Sequence, residues 1–389
     1  MELTGLKKIL EDDTLIVLLL LPNILTKHRV FKKISYFCIG FFVLTVVWVI
    51  STIVCTTKWN FFLTQYAILA SGTVMTFASY VTMYHPTYLK LYFDTYNNIF
   101  PFLWPLRSLG ESEYLRFQKL AKITTTMAWV GVSVTVLAGI LSLPCFVDGY
   151  RFMFPVKIAF DYLNGWMLYL YVTLFYVMLY HGGMTIVATL YCLTYVVMHL
   201  YNQVCLLNKK LTELPEKEDA FQAVGDYEYQ NLVTSELISC IKLHQVLVEF
   251  SRKINEWIYF PTFYYTTSVV LVALNLLLFP KDDSKFVFFM VVALCILAVF
   301  MVISCCCVGQ LLENESEKLF VSGYNCKWYL WNVKNRKLLQ MFLVNTREGM
   351  ALTSSGLVTI NFQLLIGLYR AVYSTLMFFL NMSKSIVAN

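Results

Sequence analysis

The stretch GLYRAVYSTLMFFLNMSKSIVAN, residues 367–389, has the apolar density of a membrane-spanning helix, yet it holds Arg370 in its interior and polar Asn381 near its far end. Wound at 3.6 residues per turn, it brings Ala371, Ser374, Phe378, Asn381, Met382 and Ser385 onto one face. That face mixes small and hydroxyl residues with two bulky apolar ones and an amide. It would suit a pore with an apolar constriction that gates by dewetting and a polar ring that touches ions. One helix about 10 Å wide encloses nothing, so such a pore needs several copies around an axis. On these residues alone, an ordinary helix packed against protein and lipid is an equally good reading.

The stretch belongs to the last of seven apolar runs, at 34–54, 61–84, 123–147, 166–200, 257–279, 286–312 and 352–380. Each is long enough for the roughly 20 residues that a helix needs to cross a bilayer. Six contain no Asp, Glu, Lys or Arg, and the seventh contains only Arg370. With 58% hydrophobic and 14% charged residues and a mean hydropathy of +0.63, the chain has more apolar surface than a soluble core hides. The fold class expected is an all-α membrane protein with seven transmembrane helices. The shorter run TLIVLLLLP at 14–22 follows EDD, the wrong flank for a signal peptide, and reads as an interfacial or re-entrant piece.

Basic residues set the orientation. Of the 30 Lys and Arg, 23 fall in 1–33, 85–122, 201–256 and 313–351, against Lys58, Arg151, Lys157, Lys281, Lys285 and Lys384 on the opposite side. The positive-inside rule then places the N-terminus in the cytoplasm and the C-terminus outside. This argues against a G-protein-coupled receptor, whose N-terminus is outside, and neither Asp-Arg-Tyr after the third run nor Asn-Pro-x-x-Tyr in the seventh is present. The sequon Asn314-Glu315-Ser316 falls on the cytoplasmic side and is expected to carry no sugar.

Motifs for catalysis are missing. His28, His85, His181, His199 and His244 are isolated, and there is no His-Glu-x-x-His, Gly-x-Ser-x-Gly or phosphate loop. His181 falls in mid-span, where an ionisable residue is a functional candidate, although a neutral packing histidine accounts for it as well. Of the 11 cysteines, Cys55 and Cys145 sit at external ends where a disulfide could form, while Cys305–Cys307 read as buried thiols or, less readily, as palmitoylation sites. No metal or cofactor is expected. A transporter would call for internal repeats, and the two halves of the chain do not correspond.

The basic segments outside the spans carry amphipathic patterns. Residues 201–256 break at LPEKEDAFQAVGD and then resume a helical period through Leu232, Leu237, Ile241, His244, Val248 and Ile254. Residues 311–348 behave similarly. The expected organisation is a cytoplasmic N-terminal segment (1–33), four spans with loops (34–200), a helical anchor part (201–256), spans five and six (257–312), a second anchor part (313–351), and the last span with a short external tail (352–389). The anchor parts form either a bundle within one subunit or a platform on which subunits assemble.

The residues YRAVYSTLMFFLN at 369–381, LYNQVCLLNKKL at 200–211 and SGYNCKWYLWNVKNRKLLQMFLVNTREGMALTSSG at 322–356, with this topology and length, resemble the insect odorant receptors along the whole chain. Arg370 and the Tyr373-Ser374 pair fit that family's C-terminal pattern. Thr375 and Leu376 stand where an aromatic pair is frequent, and Asn381 where a basic residue or Gln is. Asn381-Met382 differs from the Gln-Phe pair of the related gustatory receptors, which favours the odorant branch.

The resemblance implies an odour-tuning subunit in the plasma membrane of a sensory neuron dendrite. It also implies a shared co-receptor as partner, in a tetramer forming a ligand-gated cation channel. Ser374, Phe378, Asn381 and Met382 would line its pore or gate. A small volatile molecule would occupy a pocket in the outer half of the membrane. The residues placed there are Tyr66, Leu69, Ala70 and Thr73 of span two, Thr135, Ala138, Gly139 and Ser142 of span three, Tyr169, Thr173, Tyr176 and Tyr180 of span four, and Met290, Leu294 and Leu297 of span six. Such a lining is apolar and aromatic with scattered hydroxyls, suited to a ligand held by burial and dispersion. A homomeric gustatory-type channel would share this fold.

Overall fold

The structure, a computed structural model, describes residues 29–55, scattered positions between 99 and 133, and 159–215, 224–278 and 285–388 apart from 355 and 357. Within these, six α-helices have defined bounds: α1 (Arg29–Cys55), α2 (Trp166–Thr212), α3 (Tyr227–Leu278), α4 (Lys285–Tyr324), α5 (Val333–Thr346) and α6 (Phe362–Ala388). A 3-10 turn, Trp328–Leu330, leads into α5. The two-residue strands β1 (Thr353–Ser354) and β2 (Val358–Thr359) pair antiparallel between α5 and α6.

α2, α3 and α4 run for 47, 52 and 40 residues. The backbone therefore stays helical through positions 200, 256 and 312, where the sequence reading divides spans from anchor. Among the described residues no helix is long and apolar enough to cross a membrane; each of the seven apolar runs includes residues whose side chains lie outside the described set.

The core lies where α2, α3, α4 and α5 meet. On α2, Leu200, Val204, Leu207 and Leu211 are buried at the spacing of one helix face. α4 lies along α2 and contributes Leu312 and Leu319, while α5 sets Leu339 and Phe342 against both α3 and α4. The buried stripe of α3 runs through Val233, Leu237, Cys240, His244, Leu247, Phe250 and Ile254. Of the positions picked by period, Leu237, His244 and Ile254 belong to it, and Ile241 is half-buried. Leu232 and Val248 instead lie on the exposed side, because the packed stripe advances by three and four residues from Val233 and passes them by.

Buried amides join these helices over long sequence distances. Gln203 on α2, fully buried, donates from Nε2 to the Trp104 carbonyl at 2.8 Å and accepts from the Trp104 N–H at 3.2 Å. Asn335 on α5, also fully buried, donates to the carbonyl and the Oε1 of Gln230, each at 3.0 Å, and accepts from the Thr234 hydroxyl at 2.7 Å. Gln230 in turn donates to the Leu330 carbonyl and accepts from the Asn332 N–H. Asn332 caps α5 by accepting from the Asn335 N–H at 2.9 Å. The α3–α5 contact is thus a closed polar network inside an apolar core, and a network of this kind fixes one register.

Candidate functional site

The last apolar run, read as one span over 352–380, is not helical from its start. Leu352 to Ile360 form a hairpin, with Thr353 opposite Thr359 and Ser354 opposite Val358. Gly356, at φ 65°, makes the turn in a backbone region that costs other residues energy. Helix α6 begins only at Phe362 because Asn361 caps it, its Oδ1 accepting from the N–H groups of Gln363 and Leu364 at 3.0 and 3.3 Å.

The seat of α6 is built from α3 and α4. Asn255 on α3 donates to the Ala351 carbonyl and accepts from the Thr353 N–H, both at 3.0 Å, so its amide pairs with the hairpin as a strand would. On α4, Ser316 donates to the Met350 carbonyl at 3.1 Å. One turn earlier, Glu313 Oε2 accepts from Asn361 Nδ2 at 3.1 Å, and Gln310 Oε1 accepts from the Phe362 N–H at 3.3 Å. Gly309 completes the seat, since a Cβ there would lie 1.9 Å from the Ile360 carbonyl oxygen. Only the absence of a side chain lets the chain cross α4 so closely.

Beyond its first turns α6 packs by one side. Leu364, Leu365, Leu368, Val372 and Thr375 are half-buried, while Ile366, Tyr369, Tyr373 and Phe378 are exposed. Ala371, Ser374, Phe378 and Asn381 are all exposed in the single chain, with Phe378 at 59%. The structure thus brings the described residues of the expected pore face together on an uncovered side of α6. Arg370 is exposed as well. The side chains of Met382 and Ser385 lie outside the described residues.

Of the expected pocket, Tyr169, Thr173 and Tyr176 share a face of α2 on which burial deepens with distance along the helix. Tyr169 and Thr173 are exposed, whereas Tyr176 is buried against Phe175 in a chain of rings that runs through Tyr171 to Phe41 and Trp48 of α1. Tyr180 lies on α2, and Met290, Leu294 and Leu297 lie on α4, but their side chains are outside the described residues. So are Tyr66, Leu69, Ala70, Thr73, Thr135, Ala138, Gly139 and Ser142, the run 14–22, and the Cys55–Cys145 pair.

The buried thiols Cys205 and Cys240 and the buried imidazole of His244 are held neutral. Burial first, then the nearby Glu315 and Glu236 respectively, push the thiols of Cys205 and Cys240 up to about 12, so both stay protonated. Burial lowers His244 to about 4, and its ring meets the Phe342 ring edge-on at 5.3 Å; it is a neutral packing residue. Cys305, Cys306 and Cys307 are free thiols, and among the described residues no cluster of His, Cys, Asp or Glu could hold a metal ion. The sequon at Asn314 is part of helix α4 with Ser316 buried and bonded, unlike the surface loops that accept sugar.

The amides of Gln203, Gln230, Asn255, Asn335 and Asn361 were not singled out by sequence. Their signal is a polar amide recurring within an apolar stripe, as Gln203 does between Leu200 and Leu207.

A family model described as 7tm Odorant receptor matches residues 107–373. The chain belongs to the 7tm odorant receptor family. This is a family of multi-pass membrane receptors, not enzymes. The fold is similar to that of the insect olfactory receptor OR5 from Machilis hrabei, at 10% identity and a TM-score of 0.68 over 91% of this chain and 89% of that one. It is equally similar to the same receptor solved in complex with eugenol, at 12% identity and a TM-score of 0.66 over 91% of each chain. No significant relative is found among curated protein sequences.

Proposed function

We propose that this odorant receptor is an odour-tuning subunit that binds a small volatile molecule in the outer half of the membrane and, with a shared co-receptor, opens a non-selective cation channel. The family match over 107–373 carries the reading. The shared fold with a receptor solved in complex with eugenol, a small phenol, supports the ligand class. In this reading the termini lie inside and outside as the basic residues direct, and α6 lines the pore with Ser374, Phe378, Asn381 and Met382. The pocket forms from spans two, three, four and six.

The α5 side of the anchor is the assembly surface. Val333, Met341 and Val344 project from α5 at 66%, 65% and 70% exposure, in a region assigned to water rather than lipid, where bare apolar side chains mark an interface.

The test is current. The chain is expressed alone and with the co-receptor, and a panel of volatile alcohols, esters and phenols is applied. Odour-evoked cation current in the pair and none in the chain alone is the expected result. Current from the chain alone would make it a homomeric gustatory-type channel, and substrate turnover without channel events would make it a transporter.

A further inference from the structure

Resting on the channel reading above, we infer that Gln310, Glu313 and Gly309 of α4 form the joint that transmits odorant occupancy to the pore helix. α4 is one unbroken helix from Lys285 to Tyr324. It therefore joins the level of Leu297, at the inner end of the pocket expected in the outer half of the membrane, to Glu313 with no hinge; at 1.5 Å per residue that is about 24 Å.

At its lower level α4 grips the first turn of α6. Glu313 holds the cap residue itself through Asn361 Nδ2 at 3.1 Å, Gln310 holds the first helical N–H at 3.3 Å, and Ile360 lies directly over Gly309. Asn361 is buried, so the bond to Glu313 is shielded from competing water. The carboxylate also sits where the peptide dipoles of α6 favour negative charge. A shift or rotation of α4 therefore moves the start of α6 with it.

The opposite support of the seat is fixed. Asn255 pins the hairpin to α3 at Ala351 and Thr353, and α3 is locked to α5 through Gln230 and Asn335. Displacement of α4 relative to α3 thus acts across the short connection Thr353–Asn361 and tilts α6. Gln310, Glu313 and Gly309 are positioning residues in this scheme; they touch neither odorant nor ions.

The experiment records odour-evoked current per surface-expressed complex with the co-receptor, using the panel volatile most active on the wild type. Thermal stabilisation of the purified complex by the same volatile serves as the binding readout. Glu313→Ala is expected to lower maximal evoked current about fivefold, the worth of one hydrogen bond, while stabilisation by the volatile persists. Glu313→Gln, which keeps an acceptor for Asn361, is expected to recover part of the current. Should Glu313→Ala fail to reach the surface, Gln310→Ala, which removes the bond to Phe362 together with the bonds Gln310 makes to Glu313 and Asn314 within α4, is read in its place with the same expectation. Wild-type evoked current in the variant that is read overturns the inference, and so does loss of current together with loss of stabilisation. Absence of any evoked current in the wild-type complex overturns instead the channel reading on which the joint rests.

Discussion

Two regions of this receptor are built to opposite specifications. Around Asn335, each amide hydrogen bond reaches a partner about a hundred residues away in sequence, and the apolar core closes over the set. Along α6 beyond its seat, the Thr375 hydroxyl bonds back to the Ala371 carbonyl of its own helix, and Tyr369, Tyr373 and Phe378 stand uncovered. Directional bonds in a dry interior permit one geometry. A helix held by apolar contact along one side, with the polar bonds described between it and other helices lying at its cap, tilts at little cost. The anchor is thus the reference frame and α6 the part free to move against it.

The comparison breaks first if the anchor network is dispensable. Asn335→Ala removes the Asn335 side chain's three bonds, two to Gln230 and one from the Thr234 hydroxyl, and leaves a void in the core, at a cost of about 3 kcal/mol. Heating the purified complex and following the loss of its monodisperse peak should show a marked drop in melting temperature. An unchanged melt would mean that water substitutes for the amide and that the network defines nothing.

A second test of the anchor uses pH. The folded state holds His244 neutral down to about 4, against an ordinary value of 6.5. Between these values the unfolded chain binds a proton that the folded one refuses, so stability is full above 6.5 and falls as pH drops through the window, by up to about 3 kcal/mol. His244→Phe, which keeps an aromatic contact with Phe342, should flatten the dependence of melting temperature on pH between 6.5 and 4. A slope that survives the substitution assigns the acid sensitivity to another group.

Local pattern was enough to read helices of the right kind, because burial of one helix face leaves a period in the sequence; Leu237, His244 and Ile254 were found this way. It failed for Leu232 and Val248, which fit a looser period than the stripe that packs. The hairpin before α6 was missed because residues 352–360 carry no charge and so were counted into the span that follows, although their Thr, Ser and Gly content and the Asn361 cap mark where the helix begins. The amide network left still less trace. Its partners are distant in sequence, and a lone Asn or Gln on an apolar face looks the same whether it meets another helix, water or nothing.

A smaller effect on folding, with a large one on assembly, is expected at the outer side of α5. Met341 is already exposed in the single chain, so Met341→Lys should leave the melt within about 0.5 kcal/mol of wild type. If that face meets the partner subunit, burying the introduced charge should weaken association by about 2 kcal/mol, read as loss of co-purification with the co-receptor. Full recovery of the partner would move the interface elsewhere. This substitution is cleaner than deletion of 325–345, which would also remove Trp331, Leu339 and Phe342 from the core.

The smallest expected change in stability belongs to the exposed face of α6, and there it separates a pore wall from a packing helix. Phe378 and Asn381 are exposed, so neither Phe378→Ala nor Asn381→Lys should shift the melt by more than about 0.5 kcal/mol. If the face lines the conduction path, shortening Phe378 widens and wets the constriction and raises current in the absence of odorant. A lysine at 381 places a like charge in the path of cations, where screening is poor, and lowers unitary current and relative cation permeability. A helix that merely faces lipid predicts the reverse pattern, with conduction untouched and the cost appearing in surface expression, because a lysine in hydrocarbon is expensive. Wild-type unitary current and permeability in Asn381→Lys at normal surface level would therefore remove α6 of this subunit from the narrow part of the pore, whatever the anchor beneath it does.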